Sequence, residues 1–345
     1  MKRIVGMIVG LSFIAGCTDP TAVQKFAQSA PPAASYHILL LNYANIPAEA
    51  AGLYRLEAKP DPALIAGEMA ETARRCGQLL PLDNLHAAMI GYMSALGALA
   101  TAGSASFSTS GPATLTPAST QAAAPATPTG AGFCAVSLPK PAAAGAGGSA
   151  AQKATADSLS ADLTAFATAN KQLKISPAVA GAAGSLAQIA VDVVTAGVRE
   201  AAMAKALKNG HDAFLAAIAV ETAVIQNGLD TNGNTDSLQI YNSELTEHLG
   251  LVLAASQGPN QAAAVRQTAA LTVALANGTL LTPGQAANLG SAAQAYLSAL
   301  DNLKKAYTAL TAASDAGTVF KASTWNEIQP WLSDATTAYT AVNKL

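Results

Sequence analysis

The chain has 345 residues and a formal net charge of −2; 12% of its residues are charged and 51% are hydrophobic. A near-neutral chain lacks the basic surplus that nucleic acid or an anionic membrane surface calls for, so neither is expected as a partner. Alanine, the best helix former, dominates, and strand formers are sparse. The composition therefore predicts an all-α protein, an antiparallel helical bundle carrying a low-complexity flexible insertion.

The chain opens "MKRIVGMIVGLSFIAGC". Lys2 and Arg3 precede an apolar run from Ile4 to Ala15. That run is too short to span a bilayer, which takes about 20 apolar residues. A basic start, a short apolar core and small residues at its end are the marks of a secretory signal peptide, here residues 1–16. The ending Ile14-Ala15-Gly16-Cys17 resembles the lipobox of bacterial lipoproteins, with Ile14 where Leu is commonest. The resemblance covers residues 1–17 and carries no fold. It implies cleavage before Cys17, a diacylglyceryl group and an N-acyl chain on that residue, and a membrane partner reached through this lipid. Acyl chains anchor firmly, since each buried methylene contributes about 0.8 kcal/mol. Thr18 follows the cysteine, with Asp19 one place later; by the family's sorting pattern this implies the outer membrane, facing the periplasm. Loss of residues 1–16 removes two basic residues and no acid, taking the net charge from −2 to −4.

Residues 17–35 read as a tether holding at most one short helix, entered by Asp19-Pro20. An N-terminal helical part is expected over residues 36–100. "SYHILLLNYANIP" fits a helix or a short strand. "PDPALIAGEMAETARRCGQLL" is an amphipathic helix begun by Asp61-Pro62, with Ile65, Met69, Cys76 and Leu80 on one face and Glu71 paired to Arg75 on the other. The helix after it is entered near Asp83, and its Leu85 to Ala100 portion reads as buried. From Asn84 to Pro139 there is no Asp, Glu, Lys or Arg.

Residues 101–149 read as a low-complexity linker of Ser, Thr, Pro, Ala and Gly, which buries too little apolar surface to offset its ordering entropy. Within it "GFCAVSLP" is an apolar island. With Cys17 taken by lipid, Cys76 and Cys134 form an even pair for an oxidising compartment. A disulfide between them would clasp the island to the first helices; two separate buried thiols are the alternative.

Residues 150–345 read as a C-terminal helical bundle. One helix runs from Ser176-Pro177 to a stop at Asn209-Gly210, and another follows from His211. Asp236 and Gln239 form a capping box for the next. Leu289, Tyr296, Leu300, Leu303, Tyr307 and Leu310 keep helical spacing in a long later helix. The last helix is interrupted at Pro330 and carries an aromatic face of Trp325, Ile328, Trp331 and Tyr339.

Site chemistry is thin. Asp230, Asn232, Asn234 and Asp236 set oxygen side chains at alternate positions, as calcium loops do, and are weak metal candidates. The glycine there stands fourth instead of sixth, and Tyr241 occupies the place of the bidentate Glu. Glu244, Glu247 and His248 share a helix without the further ligands of a di-iron site. His-Glu-x-x-His, Gly-x-Ser-x-Gly, Walker and dinucleotide patterns do not occur. No catalytic residue, no metal and no cofactor beyond the lipid on Cys17 are expected. The expectation is a lipid-anchored, non-enzymatic envelope protein of scaffolding or partner-binding type, its partner an envelope protein or glycan. A periplasmic binder of a small ligand or metal is the alternative.

Overall fold

The computed structural model describes residues 20–31, 33–56, 60–100, 134, 149–195, 199–229, 238–256, 261–276, 280–317 and 322–342. Among these residues there are eleven α-helices, one 3-10 turn and no strand, an all-α bundle. The expected signal peptide and Cys17, residues 101–148 apart from Cys134, and Asp230, Asn232, Asn234 and Asp236 lie outside the described residues.

Helices α1 (Thr21–Gln28), α2 (Ala33–Arg55), α3 (Pro62–Cys76) and α4 (Leu79–Ala100) form the first group. Helix α5 (Ser149–Ala169), the turn Lys171–Leu173, α6 (Pro177–Thr195) and α7 (Arg199–Gly228) follow, then α8 (Leu238–Ser256), α9 (Gln261–Ala276), α10 (Pro283–Asp315) and α11 (Ala322–Val342). Hairpin neighbours α5–α6, α6–α7 and α10–α11 pack together. Helix α4 lies among α1, α2, α5, α6 and α7, and its Leu82, Leu85, Met89, Tyr92, Met93 and Leu96 are buried. Residues from 36–100 and from 150–345 share one continuous hydrophobic core, so the division seen in the sequence is not a division of the core.

The one short helix allowed for residues 17–35 is present, and it is packed into the core. Helix α1 begins at Thr21 and buries Ala22, Val23 and Phe26. Phe26 sits 5.8 Å from the ring of Phe214 and 5.5 Å from that of Tyr307, and Gln24 donates to the carbonyl of Ala100 at 3.0 Å. Three apolar residues on one face of this short helix thus pack against the bundle.

Two expected breaks are absent. Helix α7 runs unbroken through Asn209-Gly210. Gly210 is there for contact: a Cβ at that position would lie 2.5 Å from Cζ of Tyr92. Helix α11 likewise runs through Pro330. Proline removes the N–H that would bond the carbonyl of Asn326, and Asn326 is exposed. Helix α2 also contains a proline, Pro47.

The alanine-rich composition shows itself as close backbone approach. At Gly184 of α6 a Cβ would lie 2.6 Å from the backbone nitrogen of Ser160 on α5. Helix α3 starts as expected, with Asp61 accepting from the N–H groups of Ala63 and Leu64. It ends at Cys76, and Leu80 belongs to α4 and is exposed. Among the described residues no helix is long and apolar enough to cross a membrane.

Candidate functional site

Much of the polar chemistry of the bundle is internal and follows α4 from Asp83 to Tyr92. Just past its midpoint, Tyr92 and Tyr307 bring their hydroxyls within 2.7 Å of each other. Tyr92 donates to the carbonyl of Ala206 at 2.9 Å and Tyr307 to that of Leu207 at 3.1 Å. His211 stacks on Tyr307 with centroids 6.0 Å apart.

One and a half turns toward the N-terminus of α4, Nδ1 of His86 lies 2.8 Å from Oε1 of Glu221 on α7. The second oxygen of that carboxylate accepts the hydroxyl of Tyr296 from α10 at 2.7 Å. Tyr36 of α2 stacks on His86 at 4.5 Å, and Tyr339 of α11 lies 5.8 Å from Tyr296. Five helices thus meet on one carboxylate whose residue is 0% exposed. Burial first, and then the charge of Glu221, push the phenols of Tyr36, Tyr296 and Tyr339 well above their ordinary range. These tyrosines are kept as neutral hydrogen-bonding groups. Nε2 of His86 and the hydroxyls of Tyr36 and Tyr339 have no hydrogen-bond partner among the described residues.

At the N-terminal end of α4, His37 of α2 meets Asp83 at 3.1 Å. Arg75 is buried against α2. It donates to the carbonyl of Tyr43 at 2.9 Å and to Glu71 at 2.7 Å, and its guanidinium lies 4.7 Å from the centre of the Tyr43 ring. The expected Glu71–Arg75 pair exists, but its arginine faces inward rather than toward solvent. Beside it Cys76 and Cys134 form a disulfide, with Cα atoms 5.7 Å apart. The backbone N–H of Cys134 donates to Asn45 at 2.7 Å, so Cys134 is held to α3 covalently and to α2 by a hydrogen bond.

The remaining sequence candidates disperse. Glu244 accepts the hydroxyl of Tyr54 at 2.6 Å. Glu247 is exposed and His248 is buried. Tyr241, at the position of the calcium loop's bidentate acid, donates instead to the carbonyl of Leu281. Trp325 and Trp331 pack half-buried on the core beside buried Ile328 and Tyr339. Among the described residues no three His, Cys, Asp or Glu side chains converge as metal ligands. An open groove of about 730 Å³ runs along α5, lined by Ser160, Ala161, Thr164, Ala165, Thr168 and Ala169. It offers hydroxyls and methyl groups, with no charged side chain.

Glu221 went unnoticed in the sequence, although it is a lone acid in the apolar run "FLAAIAVETAVIQNG". Isolation of that kind is the available signal for a buried polar group, since a lone carboxylate in a core persists only when hydrogen-bonded. Compared with protein-family models, curated proteins and solved structures, the chain matches none.

Proposed function

We propose that this chain is a lipid-anchored cell-envelope protein of structural, scaffolding or partner-binding type, without catalytic activity of its own. The observation that carries the reading is the ending Ile14-Ala15-Gly16-Cys17 behind a basic, apolar signal. The place where the folded body begins supports it. Thr21 opens α1 only four residues after Cys17, and a fully extended chain of that length reaches about 14 Å. Helix α1 is docked beside Ala100 through Gln24. A lipid on Cys17 therefore holds the bundle by the Ala100 end of α4, close to the membrane surface. The disulfide stands near the other end of that helix; α4 has 22 residues, about 33 Å. The partner is an envelope protein or glycan, and the membrane is the outer one, facing the periplasm.

Intact mass and fractionation test the anchor. The mature chain should begin at residue 17 with acyl chains attached. Cys17→Ser should abolish fatty-acid incorporation and either release the protein from the membrane pellet or leave it unprocessed. A mature form that retains residues 1–16, or a Cys17→Ser protein still firmly in the membrane, contradicts the reading.

A further inference from the structure

Helix α1 has 8 residues, where the shortest of the other described α-helices, α3, has 15 and the longest, α10, has 33. Its ends close on itself. The N–H of Gln24 donates to the carbonyl of Pro20 at 3.0 Å, and the N–H of Ser29 to that of Lys25 at 3.1 Å. The Ser29 hydroxyl donates to the carbonyl of Phe26 at 2.7 Å. Pro31 and Pro32 follow in the sequence, and neither has an N–H with which α1 could run on into α2.

One face of α1 grips the bundle. Ala22, Val23 and Phe26 are buried, and the Phe26 ring meets those of Phe214 and Tyr307. Gln24 reaches the carbonyl of Ala100. Three residues later Ala27 lies over Gly97, where a Cβ would stand 2.6 Å from the Cβ of Ala27. These two contacts run in opposite senses along the chain, so α1 is antiparallel to α4. Helix α1 packs on α4, α10 and α11, and Lys25 and Gln28 on its outer side are exposed.

Eight residues fall short of the 12–15 or so at which an isolated helix is even marginal in water. Helix and docking in α1 therefore stand or fall together. Local opening begins in the elements that bury least, and chain ends open first. The element with the shortest packed length in this bundle is also the one that lies between Cys17 and everything else.

We propose that α1 is a stowed length of tether, which seats its Phe26 face to hold the bundle close to the membrane and unseats it to let the bundle reach further. The proposal rests on the reading of Cys17 as the anchor. With α1 docked, four residues separate Cys17 from the folded body, a reach of about 14 Å. With α1 released, the body begins at Ala33 of α2, sixteen residues from Cys17, and the extended chain reaches about 55 Å. The prolines after Ala30 keep the opening of α1 separate from that of α2.

Hydrogen–deuterium exchange of the full chain tests the opening, read on peptides covering residues 21–29 with peptides from residues 289–310 as the internal reference. In the wild type α1 should exchange about tenfold or more faster than the reference, through an opening of its own. Gly97→Ala drives a methyl group into Ala27 from the α4 side, and Phe26→Ala empties the grip from the α1 side. Each should raise α1 exchange by about tenfold or more and leave the reference where it was. The reach is read on vesicles that carry the lipidated protein and a headgroup-bound quencher. Trp325 and Trp331 of α11, the two tryptophans of the chain, report it. Compared with the same protein on quencher-free vesicles, both variants should show less quenching than the wild type. Wild-type α1 amides as protected as the reference overturn the proposal. So does a variant that speeds both sets of peptides equally, or quenching that stays at the wild-type level in both variants. A chain that does not join the vesicles at all fails the anchor reading instead, and with it the tether, while the exchange data still decide whether α1 opens by itself.

Discussion

The guanidinium of Arg75 donates to the backbone carbonyl of Tyr43 at 2.9 Å, and that carbonyl is the one Pro47 cannot bond. Within α2 the N–H of residue 47 would close the i to i−4 bond to Tyr43, but proline has no N–H. A side chain from α3 takes its place and lies over the Tyr43 ring as well. A buried arginine thereby repairs a helix on its neighbour.

Arg75→Met should therefore destabilise the protein by about 1–3 kcal/mol, the cost of an unsatisfied buried acceptor. Pro47→Ala restores a backbone N–H to the same carbonyl. In the Arg75→Met background it should recover much of the loss, with a coupling of about 1 kcal/mol in a double-mutant cycle. Urea unfolding of the four proteins measures it. Strictly additive effects would show that the arginine acts through Glu71 or the Tyr43 ring instead.

Glu221 should be intolerant of apolar replacement by itself and more tolerant in company. Glu221→Leu leaves the hydroxyl of Tyr296 and Nδ1 of His86 without their partner, at about 1–3 kcal/mol each. Adding Tyr296→Phe removes one of those orphans. The double variant should then lose less than the sum of the two single losses, because the second substitution takes away a group the first had stranded. Denaturant midpoints compared at one pH decide the matter; losses that simply add would mean the two groups do not depend on each other.

Helices were legible in the sequence because alanine content and apolar spacing are local properties. The Asp61 cap and the buried run from Leu289 to Leu310 follow from such patterns. Helix ends were less legible where a breaker served a neighbour. Gly210 answers to Tyr92, more than a hundred residues earlier in the chain, and Pro47 is tolerated because of Arg75. No local pattern carries that information. The polar centre stayed hidden for the same reason: His86, Glu221 and Tyr296 come from three helices, and each alone resembles a stray polar residue in an apolar stretch. Cys76 and Cys134 were the exception, since the two cysteines other than Cys17 offer a single pairing.

That disulfide closes a separation of 58 residues, and the chain-entropy account assigns a loop of this size about 4 kcal/mol. Alkylation of the native protein without reductant should label neither Cys76 nor Cys134. Reduction, or Cys134→Ser, should lower the unfolding free energy by an amount of that order. The Arg75 contacts lie next to Cys76 on α3, so exchange protection around Tyr43 should fall with it. Rapid labelling of both thiols in native protein would remove the clasp and leave α3 held to α2 by packing and by Arg75 alone.

Two glycines to alanine should move stability in opposite directions. At Gly184 a Cβ would run into the backbone of Ser160, 2.6 Å from its nitrogen. A backbone atom cannot rotate aside as a flexible side chain does, so α5 and α6 must separate. Overpacking of this kind costs about 1–3 kcal/mol, and helix propensity returns at most about 1 kcal/mol of it. Gly67 sits in the exposed middle of α3, where a Cβ meets nothing within 4 Å. There the gain in helix propensity stands unopposed, and Gly67→Ala should stabilise the protein by up to about 1 kcal/mol. Thermal unfolding of the two variants beside the parent reads both signs at once. A neutral Gly184→Ala would mean that α5 and α6 do not approach as closely as described, and the small residues lining their contact would then reflect composition rather than packing.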